Sequence, residues 1–307
     1  MKILQCKAKI VSSRRIQGDY YKIVLASPEI AAGALPGQFI SVKIDGDYQP
    51  LLRRPFSIHR ANKRELEILY AVVGEGTRLL SQKKPGKHLD VIGPLGNGFD
   101  YERPLDVARG RRSTPRRCSG QANDGRLILV AGGMGVAPLL FLAEQLVCRP
   151  SSVVRKNILV LLGAKNKKEV LCVKEFKKLG CEVKISTDNG SMGFKGKVTD
   201  LLKILLTTND PSTWFDFAHH GSLGAGERPL DVTRGRRTTI YACGPRPMLR
   251  AISHISLKYN IPAQISLEEH MSCAIGACMG CVVGTLQGFK RVCKEGPVFA
   301  ADEIIFW

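Results

Sequence analysis

The sequence predicts a β plus α/β chain: a small antiparallel barrel, then a doubly wound parallel sheet, then a small C-terminal module built around cysteines. Three observations carry this expectation. Residues 1–99 alternate short β-type runs with turns, the rhythm of an antiparallel sheet closed on itself. From Arg126 onward, short apolar runs alternate with helical stretches, as a parallel sheet with crossover helices requires. Cys273, Cys278, Cys281 and Cys293 then fall within a 21-residue stretch near the end of the chain.

The elements follow in order. The first β-type runs are residues 2–11, 20–26, 39–44, 55–59, 65–73 and 88–92. The later strands are expected at 127–131, 158–163, 182–187 and 239–243, with helices near 136–148, 198–206 and 246–259. The pattern divides the chain into a barrel at 1–99, a linker with an insertion at 100–125, an α/β domain at 126–262 and a cysteine module at 263–307. A chain of 307 residues with 44% apolar content has room for two buried cores, and 31 glycines point to many tight turns. Collagenous, coiled-coil and disordered classes are excluded. No run approaches the ~20 apolar residues of a membrane span. Residues 1–16 alternate apolar and basic positions and lack the apolar core of a signal peptide. A cytoplasmic protein without membrane contact is expected.

Two segments interrupt this order and match each other. Residues 102–114 (ERPLDVARGRRST) and 227–239 (ERPLDVTRGRRTT) agree at 11 of 13 positions. Their separation is too long for a solenoid period and their surroundings differ. They read as surface insertions, the second at about 211–238, where added residues cost little. A basic binding element is the alternative. The net charge of +19 admits nucleotide phosphates, an acidic protein partner or nucleic acid. Residues 263–307 carry three basic and five acidic side chains, so the cysteine module is not a basic arm for nucleic acid.

Cys273-x4-Cys278-x2-Cys281, with Cys293 downstream, is the plant-type ferredoxin spacing for a 2Fe-2S cluster. Gly276, Ala277 and Gly280 let the loop wrap closely and aim backbone N–H groups at the sulfurs. A structural zinc site is the alternative, but zinc modules usually present two Cys-x2-Cys pairs and this stretch has one. The other six cysteines are scattered and read as free thiols. Earlier in the chain, Arg54-Pro55-Phe56-Ser57 precedes Leu69-Tyr70-Ala71 and Gly74-Glu75-Gly76-Thr77. An arginine can pair with a diphosphate, and Gly76-Thr77 offers backbone and hydroxyl donors. Gly132-Gly133-Met134-Gly135-Val136-Ala137-Pro138 lies between a strand and a helix, where a phosphate-binding turn belongs, and Pro138 suits a first helical turn. Cys243-Gly244-Pro245 ends a strand at the edge where open α/β sheets place ligands, and Asp188-Asn189-Gly190 ends another.

Together, R-P-F-S, G-E-G-T, GGMGVAP and Y-A-C-G-P resemble the ferredoxin reductase superfamily. CAIGACMGCVVGT with RVCKEGPVF resembles the electron transfer subunits of type B, NAD-dependent dihydroorotate dehydrogenases. The resemblance spans nearly the whole chain outside the two insertions. It implies an FAD-binding barrel, with Arg54 at the FAD diphosphate, Ser57 at the isoalloxazine, and Pro55, Phe56, Leu69, Tyr70, Ala71, Gly76 and Thr77 completing the flavin site. It implies NAD at Gly132, Gly133, Gly135, Pro138, Cys243, Gly244 and Pro245, and a 2Fe-2S cluster on the four cysteines. Phe56 stands where many superfamily members carry Tyr; an aromatic packing surface is kept. The implied function is electron transfer in pyrimidine (UMP) biosynthesis. An FMN-containing catalytic subunit oxidises dihydroorotate, and electrons pass through 2Fe-2S and FAD to NAD in a heterotetramer of two copies of each subunit. On this reading no residue of the chain is a catalytic acid or base. The alternatives are the flavin and iron-sulfur subunit of an NAD(P)H:ferredoxin or sulfide-type oxidoreductase and, in another class, an iron-sulfur nucleic-acid-binding protein. Lys165, Lys167 and Lys168 leave NADP open.

Overall fold

In the computed structural model, which describes residues 3–44, 50–101, 126–148, 157–207 and 238–306, the first seven strands form one antiparallel sheet. They are β1 (Leu4–Gln17), β2 (Tyr20–Ala26), β3 (Phe39–Lys43), β4 (Arg54–Ser57), β5 (Arg60–Ala61), β6 (Glu65–Ala71) and β7 (His88–Leu95), in the order β4-β3-β7-β1-β2-β6-β5. The two end strands, β4 and β5, are nearly consecutive in the chain, so residues 58–59 close the sheet. Ile58 N–H donates to Gln38 O on one side at 3.0 Å, and His59 N–H to Glu67 O on the other at 2.8 Å. β1 continues to Gln17 rather than stopping at residue 11. Register irregularities between Ile10 and Ser12 and between Arg15 and Gln17 bend it round the barrel. Alternating residues such as Ala8, Ile10, Ile23 and Leu25 fill the interior. Two short helices, α1 (Pro28–Ala31) and α2 (Glu75–Ser81), cover connections between strands.

The second sheet is parallel except at its last strand, with β8 (Leu127–Gly132), β9 (Ile158–Ala164), β10 (Glu182–Thr187), β11 (Phe194–Lys195), β12 (Thr239–Cys243) and β13 (Ala263–Ser266). Its order is β11-β10-β9-β8-β12-β13. The order reverses between β8 and β12, and the crevice beyond the carboxyl ends of that pair is where such sheets take ligands. Helix α3 (Val136–Val147) lies on one face with α4 (Val173–Lys178). Helices α5 (Val198–Thr207) and α6 (Arg246–Tyr259) pack together against the core of the other face. Because α3 is sandwiched between two layers it is apolar nearly all round: Leu139, Leu140 and Leu142 pack in the α/β core while Phe141 enters the barrel core.

A hairpin of β14 (Val282–Thr285) and β15 (Gly288–Arg291) follows, and then β16 (Val298–Ala300). The boundary expected at residue 262 cuts through the sheet. β13 is its sixth parallel strand and β16 returns to pair antiparallel with it, so the cysteine segment is a long loop between two sheet strands. Most of the two matching segments lies outside the described residues, as does Cys118; Thr239, the last residue of the second segment, opens β12. No helix of the described residues is long and apolar enough to cross a membrane.

Barrel and α/β layer meet across charged side chains. Lys22 Nζ lies 2.7 Å from Glu67 Oε1, Arg60 Nε donates to Glu144 Oε1 at 2.6 Å, and the buried His59 ring places Nδ1 3.0 Å from Ala137 O. A carbonyl only accepts, so Nδ1 carries the proton. Burial and then Lys22 push the ring down to about 4, leaving it neutral. The unfolded chain binds a proton at this imidazole below about pH 6.5, whereas the native state does so only near pH 4. This contribution to stability is therefore complete above about pH 6.5 and lost as pH falls through 4, at most about 3 kcal/mol in all. Calorimetry from pH 7 to 4 should show a steeper fall for wild type than for His59→Asn; parallel curves would refute it.

Candidate functional site

A cavity of about 620 Å³ opens between the barrel and the β8–β12 crevice, within the size range of cofactor pockets. β4 and the end of β6 bring Arg54, Pro55, Phe56 and Ser57 together with Leu69, Tyr70 and Ala71 along one wall. Phe56 and Tyr70 meet edge to face, with ring centroids 5.6 Å apart, which gives the wall a flat aromatic part. The Tyr70 hydroxyl is buried and has no hydrogen-bond partner, and burial with Tyr21 nearby pushes it upward, so it stays protonated. Arg54 Nη1 donates to Leu52 O at 2.6 Å. Gly76 lies against it, since a Cβ there would fall 3.0 Å from Arg54 Nε. Thr77 also lines the cavity, but its hydroxyl is engaged: it donates to Gly74 O at 2.9 Å and accepts from the N–H groups of Val73 and Gly74. The Gly-Thr segment opens α2 rather than forming a loop of free donors, because the threonine hydroxyl closes the helix start.

The glycine turn after β8 sits at the crevice, and its glycines do different work. A Cβ on Gly135 would fall 1.9 Å from Cys243 O, and one on Gly132 2.7 Å from both Met248 Sδ and Pro245 Cδ. Gly244, at φ +158°, would press on Gly132 in turn. These three let the β8 and β12 loop ends touch. Gly133, at φ +53°, has nothing within 4 Å of its Cβ position, so its backbone is open to an approaching group. Pro138 is the third residue of α3 and is buried. Cys243 is fully buried; burial and then Glu268 push its thiol up, while Ser266 opposes them. None of Gly132, Gly133, Gly135, Pro138, Cys243, Gly244 and Pro245 lines the large cavity, where the turn is represented by Met134 and Ala137.

The opposite wall escaped the sequence reading. It consists of Arg246 at the start of α6 and the stretch Ser266 to Met271 that leaves β13, with Pro297. The signal was topological: only the pairing of β13 with β12 brings residues 266–271 to the crevice. Glu268 lines the cavity, and burial raises its carboxyl. Within this wall Arg246 Nη1 and Glu269 Oε1 stand 3.4 Å apart.

Two residues beyond this wall the cysteine loop begins. Ala277 and Cys278 N–H groups point at Cys273 Sγ (3.3 and 3.4 Å), Gly280 N–H at Cys278 Sγ and Cys293 N–H at Cys281 Sγ (both 3.4 Å). Positive φ at Ala274, Gly276 and Met279 turns the backbone so that these donors converge. A Cβ on Gly280 would lie 3.5 Å from Cys278 Sγ, whereas one on Gly276 would meet Lys294. Burial opposes the Cys273 thiolate, but the donors from Cys278, Ile275 and Ala277 outweigh it and bring the thiol down to about 6. Burial and the neighbouring Cys281 push Cys293 up to about 12, and a bound metal would deprotonate it. Side chains meet as Cys273 with Cys278 and Cys281 with Cys293. Two pairs of sulfurs suit two irons. No three His, Cys, Asp or Glu side chains converge as on one ion among the described residues. Arg291 braces the loop by donating to Gly276 O at 2.7 Å while its guanidinium holds the Glu295 carboxyl down to about 2.

Residues 268–305 match the iron-sulfur cluster binding domain of dihydroorotate dehydrogenase B. The chain is 34% identical to the dihydroorotate dehydrogenase B (NAD(+)) electron transfer subunit of Desulforamulus reducens, over 97% of both chains. It is 38% identical to that of Geobacillus kaustophilus, over 96% of each. The chain belongs to this family of electron transfer subunits. The matched region starts at Glu268, in the cavity wall, so it takes in the part of the lining formed by residues 268–271 and Pro297. Among solved structures, an NADH-dependent reduced ferredoxin-NADP oxidoreductase superposes with a TM-score of 0.69 and 26% identity, covering 98% of this chain and 90% of that one. A ferredoxin NADP+ reductase from Neisseria gonorrhoeae with bound FAD and NADP shares the fold, with a TM-score of 0.55 and 18% identity over 83% of this chain and 91% of that one. Family membership leaves the nucleic-acid reading without support.

Proposed function

We infer that this chain relays electrons within a type B, NAD-dependent dihydroorotate dehydrogenase, taking them from an FMN-containing catalytic subunit and passing them to NAD+ in pyrimidine (UMP) synthesis. The observation that most supports this is continuity: residues 266–271 line the cavity, and Cys273 follows after one further residue. A flavin bound in the cavity exchanges one electron with an iron-sulfur centre and two with nicotinamide. The chain contributes placement. Arg54 presents positive charge to a diphosphate, Phe56 and Tyr70 give the ring an aromatic wall, and Gly133 leaves backbone open at the nucleotide turn. Cys273, Cys278, Cys281 and Cys293 hold the 2Fe-2S cluster. The partner docks at the cluster loop, where exposed Cys278 is flanked by Ile275 and Met279, about half exposed, and where Leu286 and Phe289 of the hairpin are 74% exposed. Assembly as two copies of each subunit rests on the family resemblance. Free thiols at Cys6, Cys148, Cys172, Cys181 and Cys243 suit a reducing, cytoplasmic setting.

A second reading, transfer between NAD(P)H and a ferredoxin, is favoured by the 26% identity over 98% of the chain to the reduced ferredoxin-NADP oxidoreductase. The electron source separates the two. Anaerobically purified protein should carry FAD and about two irons and two labile sulfides per chain. With its catalytic subunit it should reduce NAD+ from dihydroorotate. Stoichiometric zinc, or electrons accepted from reduced ferredoxin but not from the dihydroorotate-oxidising subunit, would overturn the inference.

A further inference from the structure

None of the charged side chains between barrel and α3 lines the cavity, yet the layer touches the helix that begins at the glycine turn. His59 and Arg60 are adjacent residues where the barrel closes. His59 Nδ1–H donates to Ala137 O, and Arg60 Nε to Glu144 Oε1. Ala137 and Glu144 are seven residues apart, two turns along one face of α3, or about 10 Å. Ala137 itself lines the cavity. Around these two contacts sit Lys22 and Glu67, with Arg60 Nη1 3.7 Å and His59 Nε2 3.6 Å from Glu67 Oε1. Lys22, Arg60, Glu67 and Glu144 balance in charge, which matches the neutral ring of His59.

Buried ion pairs contribute little net stability compared with apolar side chains of the same volume. The apolar attachment is already supplied between the two contacts by Phe141, which enters the barrel core. Apolar contacts are non-directional and let a helix slide or roll; hydrogen bonds to a backbone carbonyl and a carboxylate do not. We propose that His59 and Arg60 are positioning residues for the nicotinamide half of the reaction, pinning α3 to the barrel so that the glycine turn stands in fixed register with the flavin cavity. This rests on the proposed transfer between flavin and NAD. Misplacing reacting groups by ~1 Å can cost about 100-fold in rate, so register matters more to transfer than to binding.

The test uses the full chain with its cofactors. In His59→Leu, flavin and cluster absorbance should be retained, and single-turnover flavin reduction at saturating NADH should slow about tenfold or more. The Kd for NADH should change far less, and the isotope effect with C4-deuterated NADH should rise. Hydrogen exchange at the first-turn amides of α3 should quicken. His59→Asn, which keeps a donor near the Nδ1 position, should restore most of the rate. Should His59→Leu fail to fold, Arg60→Met and Glu144→Leu, which remove the more accessible contact, should show the same slowing with unchanged flavin content. Wild-type rates and exchange in these variants would overturn the proposal, as would a His59→Asn chain as slow as His59→Leu. A wild-type chain that NADH does not reduce would instead refute the proposed function itself.

Discussion

Cys278→Ser, assembled with the catalytic subunit, should oxidise NADH with an artificial acceptor at close to the wild-type rate while passing electrons from dihydroorotate to NAD+ about 10³-fold more slowly, a loss of about 4 kcal/mol in the coupled step. The separation follows from how the loop is attached. Its ends are fixed by β13 and β16 in the parallel sheet, and by Asn97, whose N–H donates to Gly296 O at 2.6 Å and whose side chain donates to Glu295 O at 2.9 Å. None of these contacts passes through Cys278, which is exposed. The cavity wall at 266–271 and Pro297 therefore persists when the cluster is lost. Truncation before Ala263 is not an equivalent experiment, because it removes two sheet strands and a cavity wall along with the cysteines. Equal loss of both activities in Cys278→Ser would show that cavity and cluster loop are one structural unit. Undiminished coupling would show that electrons do not travel through these cysteines.

Much of this arrangement was written locally in the chain. Residues 182–187, 239–243 and 246–259 form the expected elements with the expected bounds, since apolar runs and helical spacing act over a few residues. The cysteine spacing is equally local. The features that were not legible depend on distant pairing. Nothing near Ala263 announces that it extends the parallel sheet, because its partners are Ile240 in β12 and, through β16, residues 298–300. The cavity wall at 266–271 was missed for the same reason. At Gly74 to Thr77 the difficulty was ambiguity: glycine and threonine suit a phosphate loop and a helix start alike, and the Thr77 hydroxyl can make only one donation, which goes to Gly74 O. The glycine turn carried a similar double meaning, and there substitutions can separate the two roles.

Gly135→Ala should lower the melting temperature by roughly 6–12 °C, whereas Gly133→Ala should lower it by roughly 2–8 °C and act chiefly on nucleotide affinity. Gly135 has an ordinary helical φ of −58°, so the cause is space and not conformation. A methyl group there would fall 1.9 Å from Cys243 O and 2.3 Å from Cys243 C. Both are backbone atoms of a central strand, held by β8 on one side and β13 on the other. No side chain can swing away, so β8 and β12 must part at their carboxyl ends. Overpacking of this kind costs about 3 kcal/mol or more, and each kcal/mol is worth about 2–4 °C in a domain of this size. At Gly133 the added methyl meets nothing within 4 Å, leaving only the left-handed backbone cost of about 1–2 kcal/mol. That methyl would, however, occupy the open side of the turn, where a nucleotide phosphate would approach. Flavin retention and melting temperature report on the packing role, and the Kd for NADH reports on the binding role. If Gly133→Ala binds NADH as wild type does, the phosphates lie elsewhere. If Gly135→Ala melts as wild type does, the close contact of the two loop ends is not what the glycine provides.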